Sequence, residues 1–359
     1  MQYVKPHYYD KFECIGGVCP DTCCAGWEIE IDEGTLCQYE MMDGALGERL
    51  HKEVDYNEGI FCQKANGRCA FLNDDNLCDI YKETQDEMCW CDTCRTYPRH
   101  VEEFEDVREI SIGLSCPEAA RIILSLTDKV TFDVTEDELS EDYDDFDYLL
   151  YTKLSDARSM LIKIAQDRSL SLKDRCNIVL GVANALQECL DNNEIFAMDE
   201  VIGGWSAFAE PADSSYKMST DYFDILDSLE PLRAGWQLLK DRYRKTLFEN
   251  GEAGYNALMD EFNEFLCAED KIERWDIIGE QILVYFLFIY FCGAVYDDMI
   301  YSKAGMAVMS VSIIMDMCMA HYKVSGTLNM NDVIEIAHSY CREVEHSDDN
   351  LNYIEERLM

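Results

Sequence analysis

Cys14–Trp27 reads CIGGVCPDTCCAGW, four thiols spaced Cys-x4-Cys-x3-Cys-Cys and interleaved with Gly16, Gly17, Pro20 and Gly26. Thiolates converge on one inorganic centre only where the chain folds back on itself, and glycine and proline supply the turns that allow it. Adjacent cysteines do not easily ligate one small ion together, so either Cys23 and Cys24 serve different centres or one of them packs. Further along come Cys69, Cys78, Cys89, Cys91, Cys94 and Cys116. A four-thiolate site drawn from both clusters would tie this irregular region together and supply the folding energy that its small core lacks. Spacing alone does not separate zinc from iron–sulfur.

Twelve of the 18 cysteines lie between Cys14 and Cys116; Cys176, Cys189, Cys267, Cys292, Cys318 and Cys341 are scattered and read as small buried hydrophobes. Met1–Asp10 holds no apolar run, so neither a secretory signal nor an anchor is expected and the chain is placed in the cytoplasm. In that reducing compartment a high cysteine density points to metal ligation or redox chemistry rather than disulfides. The longest apolar stretch, Ile282–Val295, has 14 residues and is expected to be too short to span a bilayer, hence a buried helix.

At 359 residues, two domains are expected, and 48% hydrophobic content removes the chain from the disordered class. The 72 acidic residues against 30 basic ones leave a net charge of -42. Such a field repels phosphate backbones and anionic lipid surfaces, which argues against nucleic acid and membrane partners; a lysine-bearing protein suits it.

Composition changes near residue 127, giving a cysteine-rich, metal-stapled domain over 1–126 with a few short strands and a helical domain over 127–359. The fold class is mainly α. Trp27, Ile29 and Ile31 alternate with Glu28, Glu30 and Asp32 as in a half-buried strand. Arg99–Phe104 and Val107–Leu114 predict a hairpin turning at Glu105 and Asp106. Ser115 and Glu118 form a capping-box pattern around Pro117, predicting a helix over Pro117–Leu126. The acidic run Asp133–Asp147, which includes Asp142, reads as a solvated connector or exposed helix start. Apolar spacing predicts helices over Tyr148–Asp167, Asp174–Leu190, Tyr222–Leu247, Tyr255–Leu266, Ile272–Tyr296, Lys303–Tyr322 and Asn331–Glu345, the last capped by Asn331 and Asp332 after a break at Ser325 and Gly326. Tyr285, Tyr290, Tyr296 and Tyr301 with their phenylalanine neighbours read as core.

At several segments the chain resembles a known family, the flagellin lysine-N-methylases, within a wider group of zinc- or iron-chelating proteins with a CxxCxxCC-like signature. The segments are YVKPHYYDKF at Tyr3–Phe12, CIGGVCPDTCCAGW at Cys14–Trp27, CAFL at Cys69–Leu72, LCDIY at Leu77–Tyr81, CDTCRTYPR at Cys91–Arg99, LSCPEAAR at Leu114–Arg121 and SYCREVEHSDDN at Ser339–Asn350. The resemblance implies a methyltransferase that moves a methyl group from S-adenosylmethionine to lysine ε-amines of flagellin, with an iron–sulfur cluster, a 4Fe–4S cluster being favoured and zinc the alternative. It carries metal ligation to Cys14, Cys19, Cys23, Cys24, Cys69, Cys78, Cys91, Cys94 and Cys116, leaving Cys37, Cys62 and Cys89 outside the pattern. The alternatives are a non-catalytic zinc- or iron-binding interaction module and a redox protein.

The residues themselves show no standard cofactor site. Gly16–Gly17, Gly203–Gly204 and Gly251/Gly254 have no strand–turn–helix setting for a dinucleotide-type fold, and a Cys-x3-Cys-x2-Cys spacing is absent. Arg95 and Arg99 present donor forks, read as structural ion pairs ahead of a carboxylate site. Lysine methylation requires the neutral amine, so a base or a desolvating pocket is needed. Glu343 and His346, three apart on a helix, are the expected catalytic pair, against the simpler reading of a satisfied helix end.

Overall fold

The computed structural model describes residues 1–141, 143–208, 215–233 and 235–359; Asp142 of the acidic run lies outside them. Two helices, Ile272–Tyr290 and Ile300–Ser325, are apolar all round and form the centre of the molecule. The apolar segments are longer than the 14-residue run suggested. Ile272–Asp297 and Ile300–Ser325 are each 26 residues and apolar enough to cross a membrane, but 89% and 83% of their most apolar stretches are buried inside the protein. Other helices provide that cover, so both read as core.

The surrounding helices are Tyr148–Ala165, Leu172–Asp191, Ser215–Asp227, Trp236–Phe248, Gly251–Ala268, Met330–Glu345 and Asp348–Leu358. The chain is mainly α, as the periodicity predicted. The single helix expected over Tyr222–Leu247 is two helices. Pro231 lacks the N–H that a helix interior needs, and Gly235, at φ 96°, sits in a left-handed conformation that other residues avoid. The helix at Met330 is capped by Asn329, not Asn331: the Asn329 side chain accepts from Asp332 N–H while the Asp332 side chain accepts from Asn329 N–H. The terminal helix Asp348–Leu358 was not anticipated.

Among the described residues six strands accompany the helices: β1 (Gln2–Pro6), β2 (Val54–Asp55), β3 (Ile60–Phe61), β4 (Arg99–Phe104), β5 (Val107–Ile112) and β6 (Phe132–Glu136). Strands β4 and β5 form the predicted hairpin, with Phe104 opposite Val107. The sheet order is β4-β5-β1-β6, β1 running parallel to β5 and antiparallel to β6. Neither β1 nor β6 was expected; the start of the acidic run is an edge strand whose carboxylates face solvent. Helix Pro117–Leu124 begins with Pro117 in its first turn, but its N-cap is Cys116 without a side-chain cap, correcting the Ser115 expectation.

Two apolar cores result. The larger runs from Tyr8 and Phe12 through the sheet to Ile354 and contains both Leu124 and Val130, so the expected division at residue 127 falls inside it. The smaller gathers Ile29, Ile31, Tyr39, Leu50, Phe61, Phe71, Leu72, Ile80 and Cys91. The alternation at Trp27–Asp32 is realised in burial, with Ile29 and Ile31 inside and Glu28 and Glu30 exposed, but it pairs only through an isolated Glu30–Ile60 bridge. Short helices Glu33–Glu40 and Gly44–Glu53, also unanticipated, close this core.

Candidate metal centre and catalytic site

The cysteine loop is shaped by its glycines. A Cβ at Gly17 would stand 2.7 Å from the Asp75 carbonyl, so only glycine lets the loop lie against the 73–77 turn. The Cys69 N–H donates to the Cys24 carbonyl at 2.8 Å, and isolated pairings link Ala25 with Arg68, Gln63 with Cys69 and Leu72 with Cys78. These short ladders bring distant thiols together. Cys24, Cys69, Cys78, Cys91 and Cys94 line one small cavity walled by Ile29, Tyr39, Phe61, Phe71 and Leu72. Cys91 caps the short helix Asp92–Thr96, which turns Cys94 back toward its partner.

Electrostatics divides the thiols. A hydrogen bond from Cys23 brings Cys24 down to about 7, and the same contact with burial pushes Cys23 well up. The Cys94 bond lowers Cys91, and Cys94 rises correspondingly. Burial raises Cys69 to about 12 and Cys116 to about 11. Metal ligands must be thiolates, so deprotonating these buried groups requires a cation among them. Among the described residues no three Cys, His, Asp or Glu side chains stand close enough to hold a metal ion as they are. The donor set itself, soft thiols converging on one cavity, suits zinc or an iron–sulfur group. Cys37 is exposed, and neither it, Cys62 nor Cys89 lines the cavity.

The helix Met330–Glu345 docks on this loop. The Asp21 carboxylate receives Arg342 Nη1 at 2.8 Å and Arg233 Nη1 at 3.0 Å, with His338 Nδ1 at 3.8 Å. Arg342 Nη2 also donates to the Ala25 carbonyl at 2.6 Å. Arg233 continues to Glu343 at 2.8 Å through Nε and to the Ser339 carbonyl at 2.9 Å.

Glu343 and His346, the expected pair, face different partners. Glu343 is buried and fully engaged, accepting from Arg233 and from Leu232 N–H at 2.7 Å. The His346 ring packs against Trp27 at 4.6 Å and Tyr97 at 5.5 Å between centroids. Burial, with Arg342 and Arg233 nearby, brings its pKa down to about 3, and its Nε2 is buried without a partner. Trp27 Nε1 donates to the Cys23 carbonyl at 2.6 Å, so His346 sits one ring away from the cysteine loop.

Between them in sequence lies Glu345, which spacing alone gave no reason to single out. Its Oε1 accepts from Tyr285 at 2.6 Å and Tyr290 at 2.9 Å, while Oε2 is buried without a partner. Burial raises its pKa. The Tyr285 oxygen also accepts from Leu114 N–H at 2.9 Å, two residues before Cys116. Tyr285 is core, as expected, and its hydroxyl is tied to Glu345; two tyrosines in the apolar second half of the helix were the available signal, since a buried hydroxyl needs a partner. Tyr296 departs from the core reading: it is exposed, its hydroxyl donating to the Glu103 carbonyl at 2.5 Å. Arg95 pairs with Asp92, and Arg99 lies over the Phe12 ring at 5.4 Å, both structural roles. A separate cavity of about 470 Å³ at the sheet edge is lined by Met1, Gln2, Glu105, Asp106, Glu136, Asp137 and neighbours, and contains no cysteine.

Residues 158–359 match the family described as FliB lysine N-methylase C-terminal domain. The chain is 30% identical over 129 residues to the flagellar biosynthetic protein FliU of Salmonella muenchen, covering 34% of this chain and 76% of that protein. It is 30% identical over 129 residues to the lysine-N-methylase of Salmonella choleraesuis strain SC-B67, and 28% over 133 residues to that of Salmonella typhimurium strain LT2; each match covers 34% of this chain and 32% of the relative. The chain thus matches about a third of the length of these two lysine-N-methylases. No solved structure matches it.

Proposed function

The chain belongs to the FliB lysine N-methylase family, and from that premise we propose that it is a protein-lysine N-methyltransferase acting on flagellin-type proteins. The methyl donor in this reading is S-adenosylmethionine, and the cysteine-rich region holds an iron–sulfur centre through ligands drawn from Cys14, Cys19, Cys23, Cys24, Cys69, Cys78, Cys91, Cys94 and Cys116. The observation that carries it is the family match over residues 158–359, whose helix Met330–Glu345 packs directly on the cysteine loop. A relative named lysine-N-methylase supports the reaction class, and one named a flagellar biosynthetic protein supports the substrate class.

When bound, S-adenosylmethionine supplies an electrophilic methyl group. This chain's residues must present a neutral amine to it, and a lysine near neutral pH carries a proton. His346, desolvated and with its Nε2 free, is assigned to hold the neutral amine as a hydrogen-bond acceptor; a ring pushed down to about 3 is too weak a base to take the proton, which the lysine leaves to solvent as it enters the desolvated site. Glu343 serves as a positioning residue, its carboxylate holding Arg233 and with it the Asp21 end of the cysteine loop. The net charge of -42 favours encounter with lysine-bearing proteins and disfavours nucleic acid and anionic membranes. All 18 cysteines are free thiols, which suits a reducing, cytoplasmic setting.

The test is incubation of the anaerobically purified chain with S-adenosylmethionine and flagellin, followed by peptide mass spectrometry. The expected product is lysine carrying increments of about 14 Da, one CH2 each, as required by replacing N–H with N–CH3 in a proton-transfer-coupled displacement. Unmodified lysines across a range of reductants would reject the reading.

A further inference from the structure

The two carboxylate oxygens of Glu345 are treated unequally by the fold. Oε1 accepts from the Tyr285 hydroxyl at 2.6 Å and from the Tyr290 hydroxyl at 2.9 Å. Oε2 is buried and, among the described residues, has no hydrogen-bond partner. A buried carboxylate oxygen left without a donor costs free energy, so a donor that the chain does not supply is expected at that position. Burial raises the carboxyl, while the two hydroxyls, His100 and the Cys341 thiol favour its charged form.

His346, the next residue, carries another buried acceptor without a partner, its Nε2. Both residues are anchored from one turn. Tyr285, which binds Glu345, takes the Leu114 N–H at 2.9 Å, and Tyr97, which packs on His346, donates to Ser115 Oγ at 3.4 Å. A Cβ on Gly113 would stand 3.2 Å from Ser115 Oγ and 3.8 Å from the Tyr285 hydroxyl, so glycine lets both anchors close on this turn. The surface is near: Asp348 and Asp349 are exposed, and His100, with its ring 6.3 Å from that of Tyr290, has a side chain 39% exposed.

We propose that Glu345 Oε2 is a second acceptor for the substrate amine, acting with His346 Nε2 to orient the lysine nitrogen for methyl transfer. A neutral primary amine has two N–H donors and one lone pair. With an N–H on each acceptor, the lone pair is left to point at the methyl group. As it closes on the methyl carbon, the carbon–sulfur bond breaks, its electron pair stays on sulfur, and the nitrogen takes up the positive charge beside the Glu345 carboxylate. Both N–H bonds persist in the methylated product, so no proton moves in this step.

The inference rests on the methyltransferase reading and adds one residue to it. Wild type and Glu345→Gln, each as the full chain purified anaerobically, are compared in two measurements. Calorimetry reads binding of a flagellin-derived peptide containing lysine and of the same peptide with norleucine, which lacks the amine; steady-state assays read kcat and KM for methyl transfer. In Glu345→Gln the two tyrosine hydroxyls hold the amide oxygen at the Oε1 position, so its NH2 takes the Oε2 position and offers a donor where the amine needs an acceptor. Wild type should prefer the lysine peptide by about tenfold, and Glu345→Gln should lose most of that preference. Its kcat should fall by about 10²-fold, the cost of a misplaced nucleophile, with a similar melting transition. Glu345→Asp, which keeps the acceptor but draws it back by one methylene, should retain part of both. A merely structural carboxyl would instead lower the melting transition of Glu345→Gln and leave peptide preference and kcat at wild-type values; that result overturns the inference and leaves the methyltransferase reading standing. A wild type without the preference does the same, and needs no variant to fold. Absence of methyl transfer by the wild type overturns the reading and this assignment with it.

Discussion

The Asp21 carboxylate meets Arg342 Nη1 at 2.8 Å, and through this contact the cysteine loop and the helix Met330–Glu345 become one site. The pair is not isolated. Arg233 binds the same carboxylate and Glu343 backs Arg233, so two cations and two anions balance where the halves of the chain meet. Removing Arg342 leaves the Ala25 carbonyl and part of Asp21 unpaired in a largely desolvated position. Arg342→Ala should lower stability by roughly 2–4 kcal/mol, less than a fully buried pair because Asp21 is partly exposed. Chemical denaturation measures this. Arg342→Lys, which keeps the charge but loses the fork, should fall between wild type and alanine; equal stability of all three would contradict the role.

On the proposed ligand set, Cys23→Ser and Cys94→Ser should each release metal, and Cys94→Ser should also loosen the small core against which Cys94 packs. Elemental analysis and the melting transition read the outcome. Full metal content with unchanged melting in both variants would remove these two thiols from the ligand set.

Asp316 is a buried carboxyl held by the Ser219 hydroxyl and by Tyr255 at 2.9 Å, with burial raising its pKa to about 6. The folded state therefore binds a proton that the unfolded chain releases between about pH 4 and 6, and stability falls as pH rises through that window. Above the window, holding the charged form in the folded interior costs on the order of 3 kcal/mol. Asp316→Asn should raise the midpoint of denaturation at pH 7.5 and abolish this part of the pH dependence; a less stable variant at both pH 4 and pH 7.5 would contradict it.

His346 should be neutral above about pH 4, given its value of about 3. The methyl-transfer rate should then rise with pH toward the range of the lysine amine without a separate step near 6.5. His346→Leu, which removes the acceptor nitrogen, should lower the rate by about tenfold, the loss of one hydrogen bond, and His346→Gln, which keeps an acceptor, by less. A step near 6.5 in the wild type, or a fully active His346→Leu, would exclude it as the group that holds the amine.

Much of this was legible in residue patterns. The β4–β5 hairpin followed from Ile110 and Ile112 alternating with Glu109 and Ser111 after a two-residue turn, and the long helices from their apolar spacing. Strand β1 was not legible because its place in the sheet is set by β5 and β6, partners more than 100 residues away, and Lys5 and Pro6 argue against a strand locally. The cysteines announced a metal-type donor set, but which thiols share a wall depends on the bridges at Arg68, Cys69 and Cys78. Glu343 and His346 were correctly placed on one helix end, yet spacing could not reveal that Arg233, from a turn far upstream, occupies Glu343. Glu345 was hidden for the same reason: its partners Tyr285 and Tyr290 lie on another helix.

The most direct test is methyl transfer to flagellin lysines by the same anaerobic preparation before and after its metal is stripped with a chelator, with circular dichroism followed alongside. The account predicts methylated lysine from the loaded protein and none from the stripped one, with loss of the small core's signal. Equal rates and an unchanged spectrum would contradict it, since the cysteine loop beneath Arg342 would then contribute no inorganic centre to the fold or to the reaction.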